Sequence, residues 1–387
     1  MAALSSSPVM PDNHSSLPGL YIHIPFCRSK CPYCSFYSET DCAQTDAFLA
    51  VLRQETTFYG ETFPLFDTLY IGGGTPSLLS LPQLESLLHH LRASFPLTEE
   101  AEITLEMNPA DGDRDFFAAL PGLGINRLNL GIQSFHDEIL SFLGRRHNAL
   151  QARKAVEYAH GAGFRRLGLD LIYAVPGQSM EMWLSGLRQA VAMPTDHLSC
   201  YQLTVDAATP FGARLAAKEF SLPTEGEEAD FFRKTSSFLE EHGYQHYEIS
   251  NFAKSDAAIS RHNRKYWDHT PYLGLGPGAH SFDGKTRWSN PSSRQIYEEQ
   301  IRNGVCPATN HERLTTGQLR LEKLFLGFRT RRGINIDAFN EALHANILAE
   351  KREILARLEK EVLVVIENGF IRPTLSGMAL ADQLTLI

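Results

Sequence analysis

Residues 21–38 read YIHIPFCRSKCPYCSFYS, and the fold is decided by how this stretch is read. It opens with a short apolar run of β type, Tyr21–Ile24, and a loop carrying Cys27, Cys31 and Cys34 follows at once. Cysteine thiolates are the usual ligands of iron–sulfur clusters, and short spacings let one loop wrap a cuboidal cluster. Three thiolates on a [4Fe–4S] cluster leave one iron open, by the logic that keeps a position free on a catalytic zinc. The alternative is a structural zinc with His23 or Cys42 as fourth ligand. Cys42 lies eight residues past Cys34, at the expected start of a helix, and matches compact zinc spacing poorly.

The other cysteines, Cys42, Cys200 and Cys306, are scattered, and six in 387 residues are too few for a disulfide scaffold. Clustering of this kind points to a metal site in a reducing compartment, so a cytoplasmic protein is expected. The first residues, MAALSSSPVMPDNHSSLPG, lack a basic segment followed by an apolar run and read as a flexible leader rather than a signal peptide. Val362–Ile366 is the longest apolar run, far short of the ~18 residues of a membrane span. A net charge of −9 argues against general affinity for nucleic acid or acidic lipid. Hydrophobic residues at 43% and charged residues at 21% suit a globular protein with a full core.

Outward from the cysteine loop, β-type runs alternate with helix-length amphipathic segments. The strands expected after Tyr21–Ile24 are Thr68–Ile71, Glu102–Glu106, Arg127–Ile132, Arg166–Tyr173 and His197–Leu203. Between them Leu84, Leu87, Leu88 and Leu91, among others, recur at helical spacing. Such alternation means parallel strands with right-handed crossovers. Six units are too few for a closed eight-unit barrel, so the fold expected is α/β, a partial (β/α)6 barrel. The organisation expected is a leader at 1–19, a core at 20–215, a linking region at 216–310 and a mostly helical C-terminal domain with a small wing at 311–387. Glu225–His242 reads as one strong helix, Tyr244–Trp288 as an irregular aromatic and glycine-rich stretch, and a wing is expected around Gly369.

The strand ends carry the remaining chemistry. The second strand ends in GGGTPS, Gly72–Ser77, whose glycines let backbone approach a ligand closely. Glu106 ends the third, Gln133 the fourth with Arg145 twelve residues on, and Asp170 lies in the fifth. A lone carboxylate at a strand end is often merely solvated; here successive ends deliver polar groups to one mouth.

CxxxCxxC after a first strand, with Tyr33 before the last cysteine and these strand-end motifs in order, resembles the radical S-adenosylmethionine (SAM) superfamily over nearly the whole chain. The resemblance implies that the open iron is chelated by SAM, which cluster reduction cleaves to a 5′-deoxyadenosyl radical. It also implies that Tyr21, Tyr33, Gly73, Gly74, Thr75, Glu106, Gln133, Arg145 and Asp170 bind SAM. Within the superfamily the chain is similar to the branch holding oxygen-independent coproporphyrinogen III dehydrogenase and the HemW-type heme chaperones. The dehydrogenase continues its cysteine motif as CxxxCxxCxC and has a longer N-terminal segment. This chain has Ser35 and Phe36 after Cys34, with about twenty residues before Tyr21.

HNRKYW, His262–Trp267, fits the HNxxYW motif of the chaperones. Imidazole is a natural axial ligand of heme iron and flat aromatics suit a porphyrin face. The resemblance thus implies heme binding, with His262 as axial ligand and Asn263, Tyr266 and Trp267 shaping the pocket; His23, His269 and His280 are the other candidate ligands. By the plainer reading, His262 is a capping or surface histidine and the two aromatics are core. The function expected is to bind heme and deliver it to an acceptor hemoprotein, a membrane-associated respiratory protein among the candidates. The cluster and SAM would then gate release or drive a single chemical event. The alternatives are the dehydrogenase itself, another radical SAM enzyme acting on a small molecule, or an interaction module.

Overall fold

In the computed structural model, which describes residues 17–60 and 62–384, six strands pair in parallel. They are β1 (Gly19–Ile24), β2 (Phe66–Gly73), β3 (Leu97–Met107), β4 (Arg127–Gln133), β5 (Arg166–Tyr173) and β6 (His197–Gln202). Each successive pair is joined through helix, which places the polar-ended C-termini of all six strands at one mouth. The helix Leu81–Ser94 shows how the outer layer is held. Leu84, Leu87, Leu88 and Leu91 form one stripe, at most 1% exposed, in one core with Leu69, Ile71, Ile103 and Leu105 of the strands beneath. Each such leucine contributes about 1.5–3 kcal/mol through burial.

The region expected to be a linker instead completes the sheet at both edges. β7 (Gln245–Glu248) and β8 (Asn251–Ala253) add antiparallel strands beside β6. β9 (Tyr272–Leu275) pairs in parallel with β1, and β10 (His280–Phe282), β11 (Thr286–Ser289) and β12 (Thr309–Arg313) extend outward from it. The result is a twelve-stranded sheet whose parallel centre is the partial barrel and whose open edges are covered by antiparallel strands. The helix Glu225–Glu241 begins with a reciprocal cap: Thr224 Oγ1 accepts from the Glu227 N–H, and Glu227 Oε2 accepts from the Thr224 N–H at 2.8 Å.

The C-terminal region has its own small core of Leu324, Phe328, Ile334, Phe339, Leu355 and Ile371. Its wing has three strands: β13 (Ile334–Asn335), β14 (Val364–Glu367) and β15 (Phe370–Pro373), in the order β13–β15–β14. It is tied to the sheet by backbone bonds, Ile249 N–H to the Arg329 carbonyl and Arg331 N–H to the Tyr247 carbonyl. Most of the expected leader, residues 1–16, lies outside the described residues; Gly19 already belongs to β1. Among the described residues no helix is long and apolar enough to cross a membrane.

Candidate functional site at the barrel mouth

The cysteine loop leaves β1 and is closed at its base by two backbone bonds. Cys27 N–H donates to the Glu39 carbonyl at 2.9 Å, and Glu39 N–H donates to the Pro25 carbonyl at 2.7 Å. All six cysteines are free thiols. Thr75 Oγ1 donates to Cys27 Sγ at 3.3 Å, and Arg145 Nη1 donates to Cys31 Sγ at 3.4 Å, so the glycine motif and the Arg145 loop both reach the cysteine loop. The two groups that would complete a zinc site are engaged elsewhere. Both ring nitrogens of His23 are hydrogen-bonded, to the Tyr21 hydroxyl and the Tyr37 carbonyl, and the Cys42 thiol donates to the Cys27 carbonyl.

The glycines of β2 permit this crowding. Gly73 has φ +107°, and a Cβ there would fall 2.7 Å from the His23 ring; at Gly74 it would fall 2.6 Å from the Phe26 carbonyl oxygen. The close approach is therefore to the His23 ring of β1 and to the backbone at the start of the cysteine loop, beyond the ligand approach expected from sequence.

Beside the loop lies a cavity of about 400 Å³, lined by Tyr33, Cys34, Gly73, Gly74, Thr75, Glu106, Gln133, Arg145 and Asp170. Of the residues expected at the SAM site, only Tyr21 is not on its wall; its ring stacks behind on Tyr70, centroids 6.1 Å apart. Glu106 accepts from the Tyr70 hydroxyl at 2.6 Å and the Gly73 N–H at 3.2 Å. Burial, helped by the nearby Asp170 and opposed by these bonds, pushes its carboxyl up to about 7. Burial also raises Asp170, against the bonds from Asn129 at 2.7 Å and from Ser199. Arg145 Nη2 donates to the Gly131 carbonyl at 2.8 Å.

Three buried polar atoms on this wall have no hydrogen-bond partner among the described residues: Gln133 Oε1, Arg145 Nε and Asp170 Oδ1. Gln133 also holds φ +65°, a left-handed conformation costly for a residue with a Cβ. A wall with orphaned donors and acceptors, two carboxylates and a guanidinium suits a ligand bearing ammonium, carboxylate and hydroxyl groups. The donor set and the three free thiols therefore fit SAM and a [4Fe–4S] cluster. When bound, that pair supplies radical chemistry; the chain's own residues bind, orient and enclose it.

Sequence reasoning missed Tyr70 and Asn129, which hold the two carboxylates. Asn129 left a signal: it is a polar residue that shares a strand face with Gln133 four residues on. Gly168 on β5 makes room for it, since a Cβ there would meet Asn129 Oδ1 at 2.5 Å.

HNRKYW forms the helix Arg261–Trp267, behind the SAM-type cavity rather than in it. His262 is 1% exposed. Its Nδ1 bonds the Thr68 hydroxyl at 2.8 Å, its Nε2 bonds the Tyr266 hydroxyl at 3.0 Å, and its ring stacks on Tyr70 with centroids 5.0 Å apart. Burial, reinforced by Lys265, lowers its pKa to about 3. An iron ligand needs a ring nitrogen facing open space, and His262 has neither nitrogen free. In this arrangement His262 is a buried strut between the motif helix and β2. Tyr266 turns inward with it, and Ser260 caps the helix start, its Oγ accepting from the Asn263 N–H. Trp267 alone of the four lines a cavity, on the other side of the helix.

The fold and the cysteine loop define the class, a radical SAM protein. The chain matches the radical SAM superfamily over residues 21–189 and the HemN C-terminal domain over residues 314–380. It is 32% identical over 367 residues to the heme chaperone HemW of Bacillus subtilis (strain 168), covering 94% of this chain and 97% of that one. It is 41% identical over 266 residues to the heme chaperone HemW of Escherichia coli (strain K12), covering 67% and 69%. A solved structure of coproporphyrinogen III oxidase (HemN) from Escherichia coli shares the fold, with a TM-score of 0.83 at 24% identity over 96% of this chain and 90% of that one. The chain belongs to the HemW family of radical SAM proteins, and this membership implies a [4Fe–4S] cluster and SAM.

Proposed function

We propose that the protein is a heme chaperone, which binds heme and passes it to an acceptor hemoprotein in the cytoplasm or at the cytoplasmic face of a membrane. The observation that carries this reading is the near full-length identity to proteins named heme chaperone HemW. In this reading Cys27, Cys31 and Cys34 hold the cluster. Glu106 and Asp170 receive the ammonium and hydroxyl groups of SAM, Arg145 its carboxylate, and Gln133 and the Gly73–Thr75 backbone its remaining polar groups. Residues 20–215 serve as the SAM-binding core, 216–310 carry the heme motif, and 311–387 form the smaller C-terminal unit. The test is transfer: reconstituted protein is loaded with heme and mixed with a heme-free hemoprotein, and the acceptor's visible spectrum is followed. Heme should leave this chain and appear in the acceptor. A parent protein that binds no heme under reducing conditions would end the chaperone reading.

Coproporphyrinogen III dehydrogenase activity is expected to be absent. Where the dehydrogenase motif has its additional cysteine this chain has Phe36, which is 68% exposed. An anaerobic assay with reductant, SAM and coproporphyrinogen checks this. Sustained protoporphyrinogen formation over many turnovers per cluster would overturn it; a trace of 5′-deoxyadenosine would not, because uncoupled SAM cleavage needs no porphyrin.

A further inference from the structure

The outward side of the motif helix faces a second cavity, of about 760 Å³, between that helix and the C-terminal unit. Its size falls in the ~300–1,000 Å³ range of small-ligand sites. Trp267, Ile334, Phe339 and Phe370 give it flat and apolar wall, and Lys323 and Arg332 give it positive charge. The acidic groups on the wall are largely spent. Asp67 is paired with Arg261 at 2.8 Å and Lys265 at 2.6 Å, and Asp268 with Arg264 at 3.0 Å. Lys323 holds no ion pair among the described residues, while burial lowers its pKa.

His269 lines the same cavity. Its Nε2 bonds Glu322 Oε2 at 2.9 Å, and Glu322 is itself held by Arg287 at 2.8 Å, leaving Nδ1 with no partner among the described residues. A carboxylate behind one ring nitrogen is the device that fixes the tautomer and orientation of a metal-ligating histidine. The backbone agrees: His269 sits at φ +56° just past the helix end, where glycine is the usual residue. Of the four candidate histidines, His262 and His23 have both ring nitrogens bonded, and His280, on β10, is not on the wall of this cavity.

Resting on the heme reading above, we infer that this cavity is where the heme sits, with its macrocycle against Trp267 and Phe339, its carboxylates towards Lys323, and its iron on the imidazole of His269. The motif helix then works with two faces. Its inner face, His262 and Tyr266, braces the barrel beside Glu106 and Tyr70, and its outer face forms the wall of the heme site.

Hemin and iron-free protoporphyrin IX, titrated into the reconstituted full chain, separate the parts of this assignment. His269→Ala should shift the Soret band of the hemin complex while leaving protoporphyrin affinity within about twofold. Lys323→Glu should weaken both ligands about tenfold or more, and Lys323→Met should weaken both by a smaller factor. His262→Gln should keep the parent's hemin spectrum. Iron and sulfide content and the far-ultraviolet dichroism spectrum identify any variant that has misfolded. If the parent binds hemin and both the His269→Ala spectrum and the Lys323→Met affinity match the parent, the heme lies elsewhere: the placement fails and the chaperone reading stands. If His262→Gln alone moves the Soret band, the placement fails in favour of the inner face. If the parent binds neither ligand, the chaperone reading itself fails.

Discussion

Cys27→Ala, Cys31→Ala and Cys34→Ala proteins, each reconstituted anaerobically, are expected to lose the cluster's iron and acid-labile sulfide together with its visible absorption. A cluster whose fourth iron is reserved for SAM has no spare protein ligand, so the loss of any one thiolate is not compensated. Cys42→Ala, Cys200→Ala and Cys306→Ala should retain full iron and sulfide. The Cys42 thiol is spent on the Cys27 carbonyl, Cys200 is buried inside β6, and Cys306 bonds the Tyr59 hydroxyl. The fold should survive in every case, because the loop is closed by backbone bonds at Cys27 and Glu39 rather than through sulfur. Full iron and sulfide in the Cys31→Ala protein would refute the assignment. A cluster lost equally on Cys42→Ala would make that thiol a ligand.

The six parallel strands were legible because parallel strands are buried on both faces and read as short continuous apolar runs between amphipathic helices. The edges were not. β7 to β11 are three or four residues each, contain glycine, histidine and asparagine, and pair antiparallel except for β9, so their pattern resembles irregular chain. Their strand character comes from the ladder they join, which no local signal reports. β13 is shorter still, two residues, and the three-stranded wing was therefore read as a pair around Gly369.

At the site, the residues read from strand ends and motifs converge on one cavity wall, with Tyr21 just behind it. What sequence could not give was partnership across strands. Tyr70 and Glu106 are 36 residues apart, and only the fold brings the hydroxyl to the carboxylate. The motif helix shows the opposite failure. Its residues were seen, but a seven-residue helix does not declare which face is inside. His262 and Tyr266, four apart, share the inner face, and Trp267 turns away from them. Chemistry alone made His262 the attractive ligand; the structure buries it with both ring nitrogens bonded.

Glu106→Gln on the reconstituted protein is expected to weaken SAM binding about tenfold or more at pH 8, as measured by calorimetry, and to leave the cluster intact. A charge-assisted hydrogen bond is worth roughly 1.5–3 kcal/mol, and the variant keeps the shape of the side chain while losing its charge. The pH dependence follows from the carboxyl's position near 7, against its ordinary 4.5. A cationic ligand group prefers the ionised form, so parent affinity should fall as pH drops below about 7 and level off near that of the variant, while the variant stays flat. Stability runs the other way. An acid whose folded pKa is raised binds more protons folded than unfolded between 4.5 and about 7, so it costs stability as pH rises through that window, and the full cost is present above it. SAM-free Glu106→Gln should therefore be more stable than the parent at pH 8, by about 3 kcal/mol, and should lose that advantage towards pH 4.5. The same slope from Glu55 and Glu248, also near 7, is common to both proteins and cancels in the comparison. A variant that binds SAM as the parent does would remove Glu106 from the site. One that loses SAM and is also less stable at pH 8 would show its carboxylate to be a structural brace for Tyr70 and Gly73 rather than a group held ready for a cation.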